Sequence, residues 1–386
     1  MRSAYPVRLT WLAIAVAAFA LAAGRPAEAI PVFAHRYGLT CQTCHTVVPH
    51  LTAFGRTFLA NGYRIRGLAP KPAFPVAVRI EADYASAGAA DPDEIRGPLP
   101  KTIVDEVEFL LGGSAGPRFS YWAEVYAVDG GFPGNSRDIW GAYRATPDGA
   151  PTPVVVRAGQ FTLPLPLDPE TFRETTQPYA IWSQTAGINP FNFFTPKIGA
   201  QVAAGDPARA LAGTVSFLNG HDQASGLPSH GVDTMVTLER DLGDFSLSAY
   251  RYDGSRELAG LGYNDTQFFT GIADRFWRDG YGLGWARGAT EINAVYQIGS
   301  DSAADVYGDS LTSSGGFLQV RQAFGNRAFA IARWDATRDA GFARTITAGG
   351  GYRLTRNTRL TLFETGERDY LGRLLHVVSS SFLVAF

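Results

Sequence analysis

The 386-residue sequence predicts a mainly β fold, an antiparallel barrel of about sixteen strands preceded by a small helical unit. Three observations predict it. Past Phe74, short segments of alternating apolar and polar character recur about every 20 residues, as strands do between lipid and water. Short and long connections alternate between those segments. Ahead of them, residues 30–73 hold both cysteines of the chain and one amphipathic helical stripe.

Composition narrows the classes. Hydrophobic residues make up 46% and charged residues 18%, which is too apolar for a disordered chain. The net charge of −2 is spread without a long block of one sign, which argues against a nucleic-acid partner. Two cysteines exclude a disulfide-stapled scaffold.

Residues 1–29 read as a secretory signal. Arg2 and Arg8 supply positive charge, Leu12 to Ala23 is the apolar core, and Ala27-Glu28-Ala29 is a small-x-small cleavage site. The apolar core is too short for a spanning helix, which disfavours a retained anchor. No later run of 18 apolar residues occurs, so any further membrane span is β.

Cys41-Gln42-Thr43-Cys44-His45 is the Cys-x-x-Cys-His pattern of covalent c-type haem attachment. Two thiols three positions apart each form a thioether with a porphyrin vinyl group, and the following imidazole becomes the proximal iron ligand. Attachment outside the cytoplasm agrees with the signal. A dithiol redox pair and half a zinc site are the competing readings. The first lacks a βαβ context and the second lacks further ligands nearby. From Leu51 to Ala60 the chain reads as one short helix, with Leu51, Phe54, Phe58 and Leu59 on one face and Asn61-Gly62 as its stop. Gly55 beside that face allows close approach of a flat ring. In a unit of about 45 residues, haem itself supplies most of the core. One haem c is thus expected in a domain of residues 30–73. His35 and His50 are the candidate distal ligands, with Met235 a weaker one and an open position the remaining case.

The stretch from Phe33 to Ile65 resembles the N-terminal cytochrome segment of the outer-membrane cytochrome–porin fusions, whose best-known members are iron oxidases. The shared marks are Tyr37-Gly38, Cys41, Cys44, His45, Thr46, Pro49, Leu51, Phe54-Gly55, Phe58 and Gly62-Tyr63. The resemblance implies electron transfer, with ferrous iron the leading extracellular donor and soluble c-type cytochromes as periplasmic carriers.

Residues 74–386 read as the barrel. Strands are expected at 75–86, 102–112, 118–128, 137–146, 153–162, 196–204, 210–219, 232–241, 244–253, 273–286, 290–299, 312–324, 327–337, 343–354, 358–366 and 375–386. In the first, Val76, Val78, Ile80, Ala82 and Tyr84 face one way and Ala77, Arg79, Glu81 and Asp83 the other. In the second, Ile103, Val107, Phe109 and Leu111 form the apolar face and Asp105 breaks it. Seven short connections share one side with both termini, and that side faces the periplasm in outer-membrane barrels. Trp122, Trp140, Trp182, Trp277, Trp285 and Trp334 suit interfacial girdles, and the terminal Phe386 suits a final outer-membrane strand. A soluble sandwich is disfavoured, because regular short–long alternation is not a Greek-key property.

Residues 163–195, rich in proline and aromatics, fold either into the lumen or over its mouth. Asp91, Asp93 and Glu94 are a weak ferrous-iron site, more readily read as solvated loop. No convincing acid, base or nucleophile constellation occurs. The expected function is therefore an electron conduit in the outer membrane, with the cytochrome unit plugging the barrel. The alternatives are a porin with a haem-containing gate or structural plug, and a haem enzyme with an open sixth position.

Overall fold

The computed structural model describes residues 33, 36–39, 41–45, 51–68, 76–86, 101–147, 149–167, 174–175, 177–222, 231–261, 267–339, 342–355, 357–368 and 374–385. The signal segment, His35, His50, Asp91, Asp93, Glu94 and Phe386 lie outside the described residues. Sixteen strands follow one another: β1 Val76–Ala85, β2 Lys101–Ala115, β3 Phe119–Asp129, β4 Phe132–Arg144, β5 Val154–Phe161, β6 Lys197–Ala204, β7 Ala212–Asp222 and β8 Asp233–Leu242. They continue as β9 Phe245–Leu261, β10 Gln267–Arg287, β11 Thr290–Asp301, β12 Leu311–Phe324, β13 Ala328–Arg338, β14 Phe342–Arg353, β15 Thr358–Arg368 and β16 Leu374–Ala385. Each pairs antiparallel with its sequence neighbour, and β1 pairs with β16 from Arg79↔Ala385 to Ala85↔Ser379, closing the barrel. Closure leaves no strand edge with unpaired backbone groups, the condition for a sheet in lipid.

The period-two pattern produces two unlike surfaces. Outward positions carry Val202, Val236, Leu238, Leu247, Leu283, Val320, Leu360 and Leu362. Exposed aromatics Phe119, Phe245, Phe324 and Tyr352 ring this band beside the tight turns. Inward positions carry Glu106, Glu108, Gln201, Arg321, Arg333 and Asp335. Asp105 is the residue left over where β1 and β2 lose register, since Glu81 pairs with Glu106 and Ala82 with Val104. It interrupts the apolar face because a β-bulge, not a regular ladder, occupies that position. Its carbonyl accepts the Gly131 N–H at 3.1 Å.

Two long connections were expected where strand runs instead. The expected loop 254–272 is mostly β9 and β10, which continue to Leu261 and restart at Gln267. Its charged and glycine residues read as loop, yet Arg256 and Leu258 are buried in the wall. The connection before residue 137 is a two-residue turn at Gly130-Gly131, both at positive φ (57° and 79°). That geometry suits the twist of a tight hairpin and needs glycine. The short–long alternation is thus less strict than the sequence implies, although the strand count is sixteen.

The girdle expectation holds for half of the tryptophans. Trp334 is exposed outward, and Trp277 and Trp285 share the outward register of Tyr281 and Leu283. Trp122, Trp140 and Trp182 point inward and are buried.

The described residues of the 163–195 segment go into the lumen. Starting from β5, the segment reaches the opposite wall, where Arg333 of β13 donates to Thr175 Oγ1 (3.0 Å), Gln177 O (2.9 Å) and Pro178 O (2.8 Å). Helix α3 (Ala180–Ser183, the third of the helices named here) seats Trp182 against Phe317, and its indole N–H donates to the Tyr250 hydroxyl at 3.2 Å. Phe191 and Phe193 pack on Tyr250, Tyr252 and Phe276. Asn189 Nδ2 bridges Asp274 (2.7 Å) and Asp301 (3.1 Å). Burial of each such aromatic stabilises by about 2–3 kcal/mol, which holds the segment inside. Burial pushes the Tyr179 phenol up to about 12, so it stays a neutral group beside Gln319.

Candidate functional site

The Cys-x-x-Cys-His motif forms helix α1 (Cys41–Cys44), and α2 (Ala53–Ala60) packs on it. The helix starts at Ala53 rather than Leu51, because Thr52 caps it. Its Oγ1 accepts the Gly55 N–H at 3.1 Å, as an N-cap does. The same hydroxyl donates to Thr43 O (2.9 Å), and the Thr52 N–H donates to Cys44 O (2.8 Å). One residue therefore ties the motif to the helix. His45 and Leu51 complete the link as an antiparallel bridge.

Gly55 has a structural job at this point. A Cβ there would lie 2.3 Å from the Cys44 carbonyl oxygen and 2.9 Å from Leu51 Cδ2. Its bare backbone thus admits the motif's own main chain, and it also lines the cavity beside the motif. Gly55→Ala is expected to push α1 off α2, at about 1–3 kcal/mol from overpacking. Faster proteolysis of residues 33–68 with unchanged barrel assembly would report it, and unchanged protection would refute the contact.

The end of α2 aims an aromatic at the wall. Gly62 N–H donates to Leu59 O and Tyr63 N–H to Phe58 O, both at 2.9 Å, the two bonds of a Schellman stop. The accompanying apolar contact is Phe58 against Tyr63, centroids 5.7 Å apart. Tyr63 is the one non-glycine residue at positive φ (59°) among those described, and Tyr37 Oη holds its carbonyl at 3.0 Å. This uncommon backbone lays the Tyr63 ring near-parallel to Trp122 (6.1 Å, 18°) and Trp140 (5.7 Å, 17°), with Phe33 stacked on Tyr63 at 4.6 Å. Trp122 and Trp140 are directly opposed on β3 and β4. Polar ties fix the same docking: Arg56 to Asp241 (3.0 Å), Thr57 to Asp206 (3.0 Å) and Arg36 to Gly112 O (3.4 Å). Asp206 and Asp241 lie beside tight turns, so the unit sits at the tight-turn mouth of the barrel.

Cys44 and His45 face a cavity of about 440 Å³ between the unit and the wall. Leu51, Phe58, Leu59 and Tyr63 give it an apolar side. Arg56, Arg137, Arg157, Glu124, Asp138 and Glu239 line the rest, and Leu163 to Pro166 of the inserted segment reach it from above. The volume falls within the range of small-molecule sites. Cys41 lies on the same helical turn. The residue types therefore suit a haem: Cys44 and His45 line a cavity with one apolar side, Cys41 belongs to the same short helix, and guanidinium groups are present for porphyrin carboxylates. Among the described residues no cluster of three or more His, Cys, Asp or Glu is arranged for a bare metal ion. Met235 is fully buried in the lumen's aromatic cluster and is not among the residues lining this cavity, which removes it as a ready distal ligand.

The wall residues Trp122, Trp140, Arg157 and Glu239 were not expected at this site. A signal existed. Trp122 shares its face with Ser120 and Glu124, and Trp140 shares its face with Asp138. Polar residues two positions away mark the lumen side of a barrel strand, whereas Trp334 is flanked at that spacing by alanines.

Comparison with solved structures agrees on the architecture. An anion-selective porin from Comamonas acidovorans superposes with a TM-score of 0.61 at 12% identity, covering 81% of this chain and 98% of that one. The fold is porin-like. The outer membrane channel DcaP of Acinetobacter baumannii (TM-score 0.55, 10% identity, 81% and 96% covered) is similar too. So is OmpF of Salmonella typhi in complex with daunomycin (0.54, 11%, 81% and 97%). No protein-family model and no curated protein sequence matches the chain.

Proposed function

We propose that this chain is an outer-membrane electron conduit, a barrel whose tight-turn mouth holds one covalently bound haem c on Cys41, Cys44 and His45. The observation that carries the reading is that Cys44 and His45 of the motif line one cavity together with Tyr63, Trp122 and Trp140 of that mouth. The outward apolar band with its aromatic ring supports a membrane position, and the porin-like fold supports the outer membrane. With the tight turns toward the periplasm, both termini and the N-terminal unit face that side.

Haem c supplies one-electron exchange when bound. The chain's residues do the rest. Cys41 and Cys44 fix the porphyrin by thioethers, and His45 supplies the proximal imidazole. Arg56, Arg137 and Arg157 offer counter-charge to its carboxylates. The inserted segment narrows the aqueous path, so that charge rather than solute crosses. An apolar band about 25 Å tall is too thick for efficient tunnelling, and a site part-way into the barrel shortens that gap. Periplasmic c-type cytochromes are the natural carriers on one side. Ferrous iron is the donor class suggested by the resemblance of residues 33–65.

The test is to mix the protein, reconstituted in liposomes, with ferrous iron near neutral pH. The α-band of reduced haem is expected to grow. A porphyrin adduct without reduction removes iron and leaves another donor; no adduct by mass spectrometry removes the conduit altogether. A second reading, a solute channel with the N-terminal unit as gate, is favoured by the likeness to porins. Liposome swelling by small sugars would establish it.

A further inference from the structure

We propose that the lipid-facing wall of β13–β16 binds the phosphate of an anionic glycolipid in the external leaflet. A groove of about 670 Å³ lies on this wall. Cross-strand pairing builds it in rows. Trp334, Ile346, Gly366 and His376 are successive partners across β13 to β16 and form its middle row. One row nearer the strand ends, Arg344 of β14 is directly opposite Arg368 of β15. One row below, Ala348 is opposite Glu364. The small residues Gly366 and Ala348 hollow out the floor.

The position suits a lipid better than a soluble ligand. All of these residues share the outward register, continuous with exposed Leu360, Leu362 and Val378 below. Arg344, Arg368 and His376 lie near the strand ends opposite the β14–β15 turn, next to exposed Trp334. An acyl chain would lie along the leucine stripe while its headgroup met the two guanidinium groups. Two guanidinium groups on directly opposed positions can share one phosphate through charge-assisted hydrogen bonds, because their planar forks match phosphate oxygens. Glu364, with Oε1 3.8 Å from His376 Nδ1, is the single carboxylate lining the groove and works against an anion. The groove's other described lining residues are apolar or cationic, which selects a phosphate-bearing amphiphile over a zwitterionic one.

The inference rests on the barrel crossing the outer membrane with its long connections outward. The test uses the full chain in neutral detergent, titrated with diphosphoryl lipid A and read by native mass spectrometry. Dephosphorylated lipid A and inorganic phosphate are the parallel arms. Retention of lipid A is expected, with at least about tenfold weaker retention for Arg344→Gln/Arg368→Gln, since each loses a charged hydrogen bond. Glu364→Gln is expected to tighten retention, a gain that misfolding cannot imitate. Equal retention of the dephosphorylated lipid, full competition by inorganic phosphate, or unchanged affinity in Glu364→Gln would each overturn the site. So would dissociation of an oligomer by the arginine variant without loss of lipid, because the groove would then be a contact between copies. A chain that fails to enter liposomes would instead sink the membrane reading itself.

Discussion

Arg333→Ala is expected to release the inserted segment from the β13 wall and raise the single-channel conductance of the reconstituted barrel severalfold. Arg333 is buried, and its guanidinium bonds four acceptors inside the lumen. Nε donates to Asp335 Oδ2 (2.7 Å), and the terminal nitrogens hold Thr175 Oγ1 and the Gln177 and Pro178 carbonyls. It also lies over the Tyr179 ring at 4.6 Å. Removing it leaves Asp335 buried without its cation, at a cost of about 3–5 kcal/mol. The strands of β13 keep their ladders to β12 and β14, so the loss falls on the segment rather than on the barrel. Chymotrypsin should then cut at Tyr179, Trp182 or Phe191, which the folded segment buries. Arg333→Lys keeps the charge but lacks the fork that reaches four acceptors, and an intermediate conductance is expected. Unchanged conductance together with full protease protection would show that the aromatic contacts alone hold the segment.

The reach of the sequence can be read from these particulars. Strands were legible because a period of two repeats along each of them, and an apolar outer face against a polar inner one keeps that period clean. The pattern failed where charge lay inside a hairpin extension, as at Arg256, or where a bulge inserted Asp105. The motif was legible because its chemistry is local: Cys41 to His45 is one turn and its follower. What surrounds it was not. Trp122, Trp140, Asp206 and Asp241 come to the N-terminal unit from tens to nearly two hundred residues away, through the register of eight strands. Arg333 meets Thr175 across 158 residues for the same reason. Barrel closure sets those meetings, and no local period encodes them.

The largest effects on function are expected from the motif itself. Cys41→Ser with Cys44→Ser should yield a chain without a porphyrin adduct, and His45→Ala an adduct without the low-spin spectrum of an imidazole-ligated iron. Both should still form a heat-modifiable barrel. The contacts that dock the unit explain why. Tyr63 and Phe33 on Trp122, Arg56 to Asp241 and Thr57 to Asp206 involve none of the three residues. Nor does the β1–β16 seam. The motif's backbone is held by Thr52 through carbonyl groups, which serine and alanine keep. His35→Ala and His50→Ala then sort the distal position, since the variant that shifts the spectrum identifies that ligand. A low-spin spectrum surviving His45→Ala would refute the proximal assignment. If the cysteine variant abolished barrel assembly, the attached group would be a folding nucleus for the whole chain, and the separation of conduit from container argued above would fail.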